Sequence, residues 1–139
     1  MRYYLSLGAN LGEREISLRK AVEMMEQRIG KVLRCSSFFY STPWGFESEH
    51  DFCNVCCLVE TPLAPLEMLQ QTQAIERALG RTEKSENGHY ADRAIDIDII
   101  RAFEDDGKEV FVDTSMLTFP HPLWQEREFV KVPLAEIMQ

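Results

Sequence analysis

Asp96 and Asp98 stand two residues apart in Arg93-Ala94-Ile95-Asp96-Ile97-Asp98-Ile99-Ile100. Side chains alternate between the two faces of a strand, so Ile95, Ile97 and Ile99 point to one side and both carboxylates to the other. The α-carbons of the two acids then lie ~6.6 Å apart. Carboxylates that close disfavour each other's charge unless a cation lies between them. Mg²⁺ is commonly held by one or two carboxylates together with phosphate oxygens and water. Two such ions ~3.5–4 Å apart serve phosphoryl-type transfer. The ordinary alternative is a solvated sheet face, on which alternating acids keep an antiparallel sheet wetted.

Other residues suited to phosphate are spread along the chain. Arg93 lies just ahead of the acidic pair. Gln73 and Glu76 stand at i and i+3, on one helix face away from the apolar stripe; taken alone they read as an ordinary polar helix surface. Pro120-His121-Pro122 holds a His in a stiff segment, and Arg127 follows. A His can hydrogen-bond a phosphate or ribose, and Arg is a forked donor for phosphate. Phe52, Asn54 and Phe129 form a different set. Two rings can sandwich a flat heterocycle while an amide reads its edge, although aromatic residues at these spacings also suit a core.

These groups must be carried by a chain of 139 residues with a net charge of −8, 45% hydrophobic and 27% charged. That length fits one domain, 1–139, burying about two-thirds of its unfolded surface without a staple. The acidic balance argues against nucleic acid or an anionic membrane as partner. It admits a nucleotide whose charge a carboxylate-held metal offsets. No apolar run reaches the ~20 residues of a membrane helix and the start lacks a signal-peptide pattern, so the expected location is cytoplasmic. Cys35, Cys53, Cys56 and Cys57 include one C-x₂-C without a second ligand pair at zinc spacing. They are expected to be plain buried thiols.

Periodicity gives the elements. Tyr3 to Leu7 reads as a strand ending at Gly8. Glu13 to Arg28 reads as a helix with Leu18, Ala21, Val22, Met25 and Ile29 on one side and Gly30 as its C-terminal cap. Val32 to Tyr40 and Phe52 to Glu60 read as strands, with a loop at Thr42 to Asp51 between them. Pro65 opens a second helix, with Leu66, Leu69, Thr72, Ile75 and Leu79 in its stripe and Gly80 after it. A polar loop, Arg81 to Asp92, leads to a strand at Ala94 to Ala102. Asp105-Asp106-Gly107 turns into a partner strand, Glu109 to Val112. The remainder is irregular until Phe129 to Val132. The order β-α-β-β-α-β plus a hairpin predicts an α+β fold: a ferredoxin-like split βαβ antiparallel sheet with two packed helices.

Several of these stretches, in order, resemble one family. They are Leu5-Ser6-Leu7-Gly8-Ala9-Asn10-Leu11-Gly12, Thr42-Pro43, Asp51-Phe52-Cys53-Asn54, Gln73-Ala74-Ile75-Glu76, Gly80-Arg81, Arg93 through Asp98, and Pro120-His121-Pro122 with Arg127 and Phe129. The chain resembles the 6-hydroxymethyl-7,8-dihydropterin pyrophosphokinases of folate biosynthesis from Leu5 to about Leu134. The resemblance implies a ferredoxin-like core with an extra hairpin and a short C-terminal helix. It implies transfer of pyrophosphate from ATP to 6-hydroxymethyl-7,8-dihydropterin with release of AMP, by a monomer. It implies that Asp96 and Asp98 hold two Mg²⁺ ions on the ATP phosphates. Gln73, Glu76, Arg93, Thr118, His121 and Arg127 would contact the nucleotide. Arg81 and Arg93 would lie on or beside the loop that covers the phosphates and join the two acids in catalysis. Thr42, Pro43, Gly45, Phe52, Asn54 and Phe129 would form the pterin pocket. The chain departs from the family pattern at His89-Tyr90-Ala91-Asp92, at Glu83 and at Met116.

Two other readings fit parts of the pattern. A non-catalytic ferredoxin-like module that binds a small ligand would have no use for a metal pair. Another Mg²⁺-dependent nucleotidyl or phosphoryl transferase would share the Asp-x-Asp logic but release a different nucleotide product.

Overall fold

Alternation along three strands organises the molecule. β1 (Arg2–Ala9) runs between β4 (Phe52–Glu60) and β5 (Asp96–Phe103), antiparallel to both. Their odd-numbered residues, among them Leu5, Leu7, Val55, Cys57, Ile97 and Ile99, are buried in one core cluster. The computed structural model describes residues 1–41, 51–80 and 95–138. Beyond β4 lies β2 (Lys31–Cys35), and beyond β5 lies β6 (Glu109–Val110), giving the order β2-β4-β1-β5-β6. β3 (Phe39–Ser41) also pairs with β4. Helix α1 (Arg14–Arg28) leads from β1 to β2, and α2 (Pro65–Ala78) leads from β4 to β5. In each case a strand of opposite direction lies between the two that the helix connects. This is the expected interleaving of a split βαβ sheet.

Helices α1 and α2 cover the odd face through Leu18, Ala21, Met25, Met68 and Ile75. The other face is covered in part by α3 (Glu128–Ile137), whose Val130, Leu134 and Ile137 pack on Cys56, Leu58 and Ile100. Asp96 and Asp98, on the same side of the sheet, are both half-buried. No helix among the described residues is long and apolar enough to cross a membrane.

Several local expectations change. β1 continues through Gly8 to Ala9, because Gly8 still pairs with Asn54 and Asp96. Gly30 does not adopt the left-handed cap conformation. Its small size answers a close approach instead, since a Cβ there would lie 2.2 Å from the Glu60 carbonyl oxygen. The single strand expected over Val32 to Tyr40 is broken at 36–38. The Ser36 side chain accepts the Cys56 N–H at 2.9 Å, while the Ser36 N–H donates to the Cys56 carbonyl at 2.8 Å. Three residues there oppose two on β4, the count of a β-bulge.

In α2 the inward positions are Met68, Thr72, Ile75 and Glu76, whereas Leu66 is exposed. The hairpin partner of β5 ends at Val110. The chain then forms β7 (Val112–Asp113), which pairs with β8 (Thr118–Phe119) in a second small sheet where irregular chain was expected. A 3-10 turn, Trp124–Glu126, precedes α3. Cys53, Cys56 and Cys57 are buried as expected, but Cys35 is exposed.

One irregularity in β5 decides which residues reach the site. The β1–β5 register shifts where Tyr4 pairs with Arg101 and Leu5 with Ile99, leaving Ile100 as the extra residue. Strict alternation from Ile95 would have turned Arg101 into the core. The bulge instead puts Ala102 there, and Arg101 meets Glu109 in a two-bond ion pair at 2.8 and 2.9 Å.

The contact at Gly30 gives a stability test. Gly30→Ala forces a backbone shift at Glu60 and is expected to lower the unfolding free energy by about 1–3 kcal/mol. Denaturant unfolding measures it, and an unchanged midpoint would mean that the α1–β2 turn opens without strain.

Candidate active site

Even-numbered residues of the three central strands form rows on the α3 side of the sheet. The first row is Asn54 on β4, Gly8 on β1 and Asp96 on β5; the second is Cys56, Ser6 and Asp98. Leu58, Tyr4 and Arg101 follow, beside the apolar patch under α3. The face thus grades from apolar under the helix to polar at the end that holds both acids. Gly8 keeps the first row clear, since a Cβ on it would lie 2.8 Å from Asn54 Oδ1 and 3.5 Å from the Phe52 ring.

Asn54 is buried and held by its own sheet. Its amide nitrogen donates to Ser41 Oγ at 2.9 Å and to the Phe39 carbonyl at 3.3 Å. The amide oxygen is therefore the end turned toward Gly8. Phe52, two residues earlier on the same face, is half-buried and borders this space. Asn54 and Asp96 sit two strands apart, roughly 10 Å at the spacing of a sheet. That separation suits two reactants lying side by side rather than one ligand held by both.

The open edge of β5 has its own partners. β6 reaches only Ala102 and Phe103, so the strand's outer backbone groups near the acids need other bonds. The Ile97 N–H donates to Glu76 Oε2 at 2.7 Å, and the Ile100 carbonyl accepts the His121 N–H at 2.8 Å. Glu76 was expected on a helix face away from the apolar stripe, and by the resemblance as a nucleotide contact. It is buried instead, and one of its oxygens ties α2 to the strand of the acidic pair. Gln73, a turn earlier on α2, is exposed.

The bond at Ile100 seats the Pro-His-Pro segment beside β5. His121 Nδ1 accepts the Leu123 N–H at 3.2 Å, so the neutral ring carries its proton on Nε2 and presents a donor there. Burial, then the charge of Arg127, hold His121 below its usual value, against the opposite pull of Asp96. The three groups are thus electrostatic neighbours. Arg127 is buried, with its guanidinium 5.8 Å from the centre of the half-buried Phe129 ring. Thr118 lies on β8, its hydroxyl in long contacts with Asp113 and the Thr114 carbonyl, both at 3.4 Å.

The donor set fits a hard cation. Asp96 and Asp98 offer carboxylate oxygens beside the small residues Gly8 and Ser6, and all-oxygen ligation suits Mg²⁺. Burial pushes the neighbouring Cys56 thiol up to about 12. Thr42, Pro43, Gly45, Arg81 and Arg93 lie outside the described residues. Sequence reasoning passed over Gly8, which clears the row, and Ser41, which orients Asn54. A glycine at an even position of a strand was the available signal for the first. The second depended on β3 meeting β4, which nothing local announces.

Together the fold and site define an α+β protein that sets two carboxylates on the same side of the sheet as a buried amide, with a His and a buried Arg as electrostatic neighbours of Asp96. That is the arrangement of an enzyme that handles phosphate. Residues 4–139 match the family model described as 7,8-dihydro-6-hydroxymethylpterin-pyrophosphokinase, and the chain belongs to this family. A 2-amino-4-hydroxy-6-hydroxymethyldihydropteridine pyrophosphokinase of Porphyromonas gingivalis is 46% identical over 136 residues, covering 96% of this chain and 88% of the relative. The protein of the same name from Bacillus subtilis is 39% identical, covering 98% and 77%. The folic acid synthesis protein fol1 of Pneumocystis carinii is 37% identical over 96% of this chain, which spans 17% of that longer protein. Among solved structures, an HPPK-DHPS in complex with substrates superposes with a TM-score of 0.67 at 17% identity. It covers 99% of this chain and 40% of the other, and it supports the fold.

The environment of His121 makes stability depend on pH. Its folded pKa lies below the ~6.5 of an unfolded His, so the unfolded chain binds the proton more readily. Stability is full above about pH 6.5 and falls as pH drops toward the lowered folded value. In nucleotide- and metal-free unfolding experiments, His121→Gln is expected to flatten this decline between about pH 7 and 5. An unaltered slope would remove His121 as its source.

Proposed function

We propose that the chain is a pyrophosphokinase that transfers the β,γ-pyrophosphoryl group of ATP to the hydroxymethyl oxygen of 6-hydroxymethyl-7,8-dihydropterin, releasing AMP in folate biosynthesis. The family match and the activity for which its relatives are named support the reaction. The observation that carries the site is the row Asn54–Gly8–Asp96, which sets a heterocycle-reading amide two strands from the carboxylate pair.

In this reading the pterin lies over Gly8, between Phe52 and Phe129. The Asn54 amide oxygen accepts from an N–H on the pterin edge. Thr42, Pro43 and Gly45 complete the pocket from the loop before β4. Asp96 and Asp98 hold two Mg²⁺ ions, which when bound offset the charge of the ATP phosphates. His121 donates from Nε2, and Arg127 supplies a fixed positive charge beside it. Gln73 and Thr118 contact the nucleotide, Glu76 holds the strand edge that carries the acids, and Arg81 and Arg93 close over the phosphates.

The substrate's primary alcohol is a weak nucleophile, so alignment and charge neutralisation supply most of the rate. Its oxygen bonds to the β-phosphorus, the bond from that phosphorus to the α,β-bridging oxygen breaks, and AMP leaves. The hydroxyl proton passes to solvent or to Asp96. A cytoplasmic monomer is part of the same proposal, and sedimentation at several concentrations checks the monomer.

Product analysis tests the reading. With ATP, Mg²⁺ and the dihydropterin, AMP is expected to appear only when the pterin is present. Asp96→Ala is expected to lower the rate by two or more orders of magnitude, the scale of several kcal/mol of lost charge stabilisation. ADP as the product would instead support a simple kinase. ATP binding in Mg²⁺ that Asp96→Ala leaves intact, with no turnover by the parent chain, would support a non-catalytic module. For the pocket, Phe129→Ala is expected to weaken pterin binding by about 1–3 kcal/mol through lost stacking and burial. Unchanged affinity by titration would remove Phe129 from the pocket.

A further inference from the structure

Cys35 and Cys57 are direct α-carbon partners across the β2–β4 ladder. Partners in an antiparallel pair stand ~4.5 or ~5.5 Å apart at the α-carbons, depending on whether the pair is hydrogen-bonded. Both values fall within the ~4.4–6.8 Å that a disulfide spans. The two sulfurs already meet at 3.1 Å, one thiol donating to the other. Cys57 is fully buried in the core, whereas Cys35 is exposed. Cys35 also borders a groove of roughly 320 Å³, lined by Leu18, Arg19, Val22 and Phe38, that is open to a small reagent.

The chemistry of the pair is divided unequally. The hydrogen bond from Cys57 draws the Cys35 thiol below its ordinary value, and the same contact with burial pushes Cys57 up. The thiolate is the reactive form of cysteine. Cys35 therefore has the access of a reactive thiol and, against the pull of burial and Glu26, a proton held less tightly than usual, with a second sulfur in contact behind it. Cys53 and Cys56 have neither feature. Both are buried, and burial raises them to about 11 and about 12.

We propose that Cys35 and Cys57 form a reversible redox site whose oxidant is a small hydroperoxide, with Cys35 as the attacking thiol and Cys57 as the resolving one. The Cys35 thiolate attacks the terminal peroxide oxygen. The O–O bond breaks, and the leaving alkoxide takes a proton to become an alcohol, or water where the oxidant is hydrogen peroxide. Cys35 is then a sulfenic acid. The Cys57 sulfur attacks the Cys35 sulfur, the S–O bond breaks, and the Cys57 proton leaves with the hydroxyl as water. In sum two thiols are oxidised to a disulfide while one peroxide is reduced to an alcohol and water. A small dithiol reverses the step by exchange. The bridge would staple β2 to β4 beside the bulge at Ser36. The site is separate from the proposed pyrophosphokinase chemistry, and its test does not depend on that reading.

The test treats the reduced full-length chain with hydrogen peroxide, traps the remaining thiols by alkylation and reads masses after non-reducing digestion. A peptide linked through Cys35 and Cys57 is expected, lighter by two hydrogens than its parts and split again by dithiothreitol. Cys57→Ala keeps an apolar group in the core and is expected to abolish the linked peptide while Cys35 accumulates as sulfinate. Cys35→Ser, at the exposed position, is expected to leave the other three thiols unreacted. The proposal fails if the parent chain accumulates Cys35 sulfinate as fast as Cys57→Ala does. It fails equally if the bridge joins Cys53 or Cys56, or if Cys35 stays reduced while those thiols react.

Discussion

The register of β1 between β4 and β5 is the constraint on which the rest depends. Gly8 pairs with Asn54 on one side and Asp96 on the other, and Ser6 pairs with Cys56 and Asp98. A slip of one residue on either side would turn the amide or the acids into the helix-covered core. The register is enforced from the opposite face. Leu5, Leu7, Val55, Cys57, Ile97 and Ile99 must be buried together under α1 and α2, and that burial fixes the even residues on the other side. The site is thus held by a hydrophobic core that none of its groups belongs to.

The face with the site is divided between packing and chemistry. Helix α3 covers the end that carries Leu58 and Ile100, and the row of Asn54, Gly8 and Asp96 lies beyond that cluster. It is fastened at several points to the sheet's far edge. Arg34 donates to the Ile137 carbonyl at 3.1 Å, and Ser37 donates to the Glu136 carboxylate through both its backbone and its hydroxyl. The same helix begins at Glu128, next to Arg127, and carries Phe129 in its first turn. Its docking therefore positions both Arg127 and Phe129.

The edge of β5 shows how backbone demands and site geometry combine. An outer strand edge with unmet N–H and carbonyl groups invites unwanted pairing and is costly where buried. Here Glu76 takes the Ile97 N–H and His121 takes the Ile100 carbonyl. Each bond satisfies the strand and at the same time fixes a neighbouring element against the acidic pair. The Ile100 bulge completes the arrangement by sending Arg101 to Glu109 and away from the core.

Much of this was legible in the residues themselves. The alternation of Ile with Asp over 95–99 gave the strand and the common face of the acids, because a strand's period is two whatever surrounds it. The paired apolar stripes gave α1 and α2, and Phe52 to Glu60 was read at its observed limits. What the chain could not announce were features set by a partner distant in sequence. Glu76 looks like a polar helix residue until the edge of β5 arrives with an N–H to be met. Gly30 looks like a cap until the Glu60 carbonyl lies where its side chain would be. Met68 replaces Leu66 in the core because the helix's rotation is chosen by the sheet beneath it, and Cys35 meets Cys57 only through the β2–β4 register. The sequence by itself determined which residue types face together along each element. Tertiary structure decided which elements those faces meet, since burial and hydrogen-bond satisfaction are settled between segments and not within them.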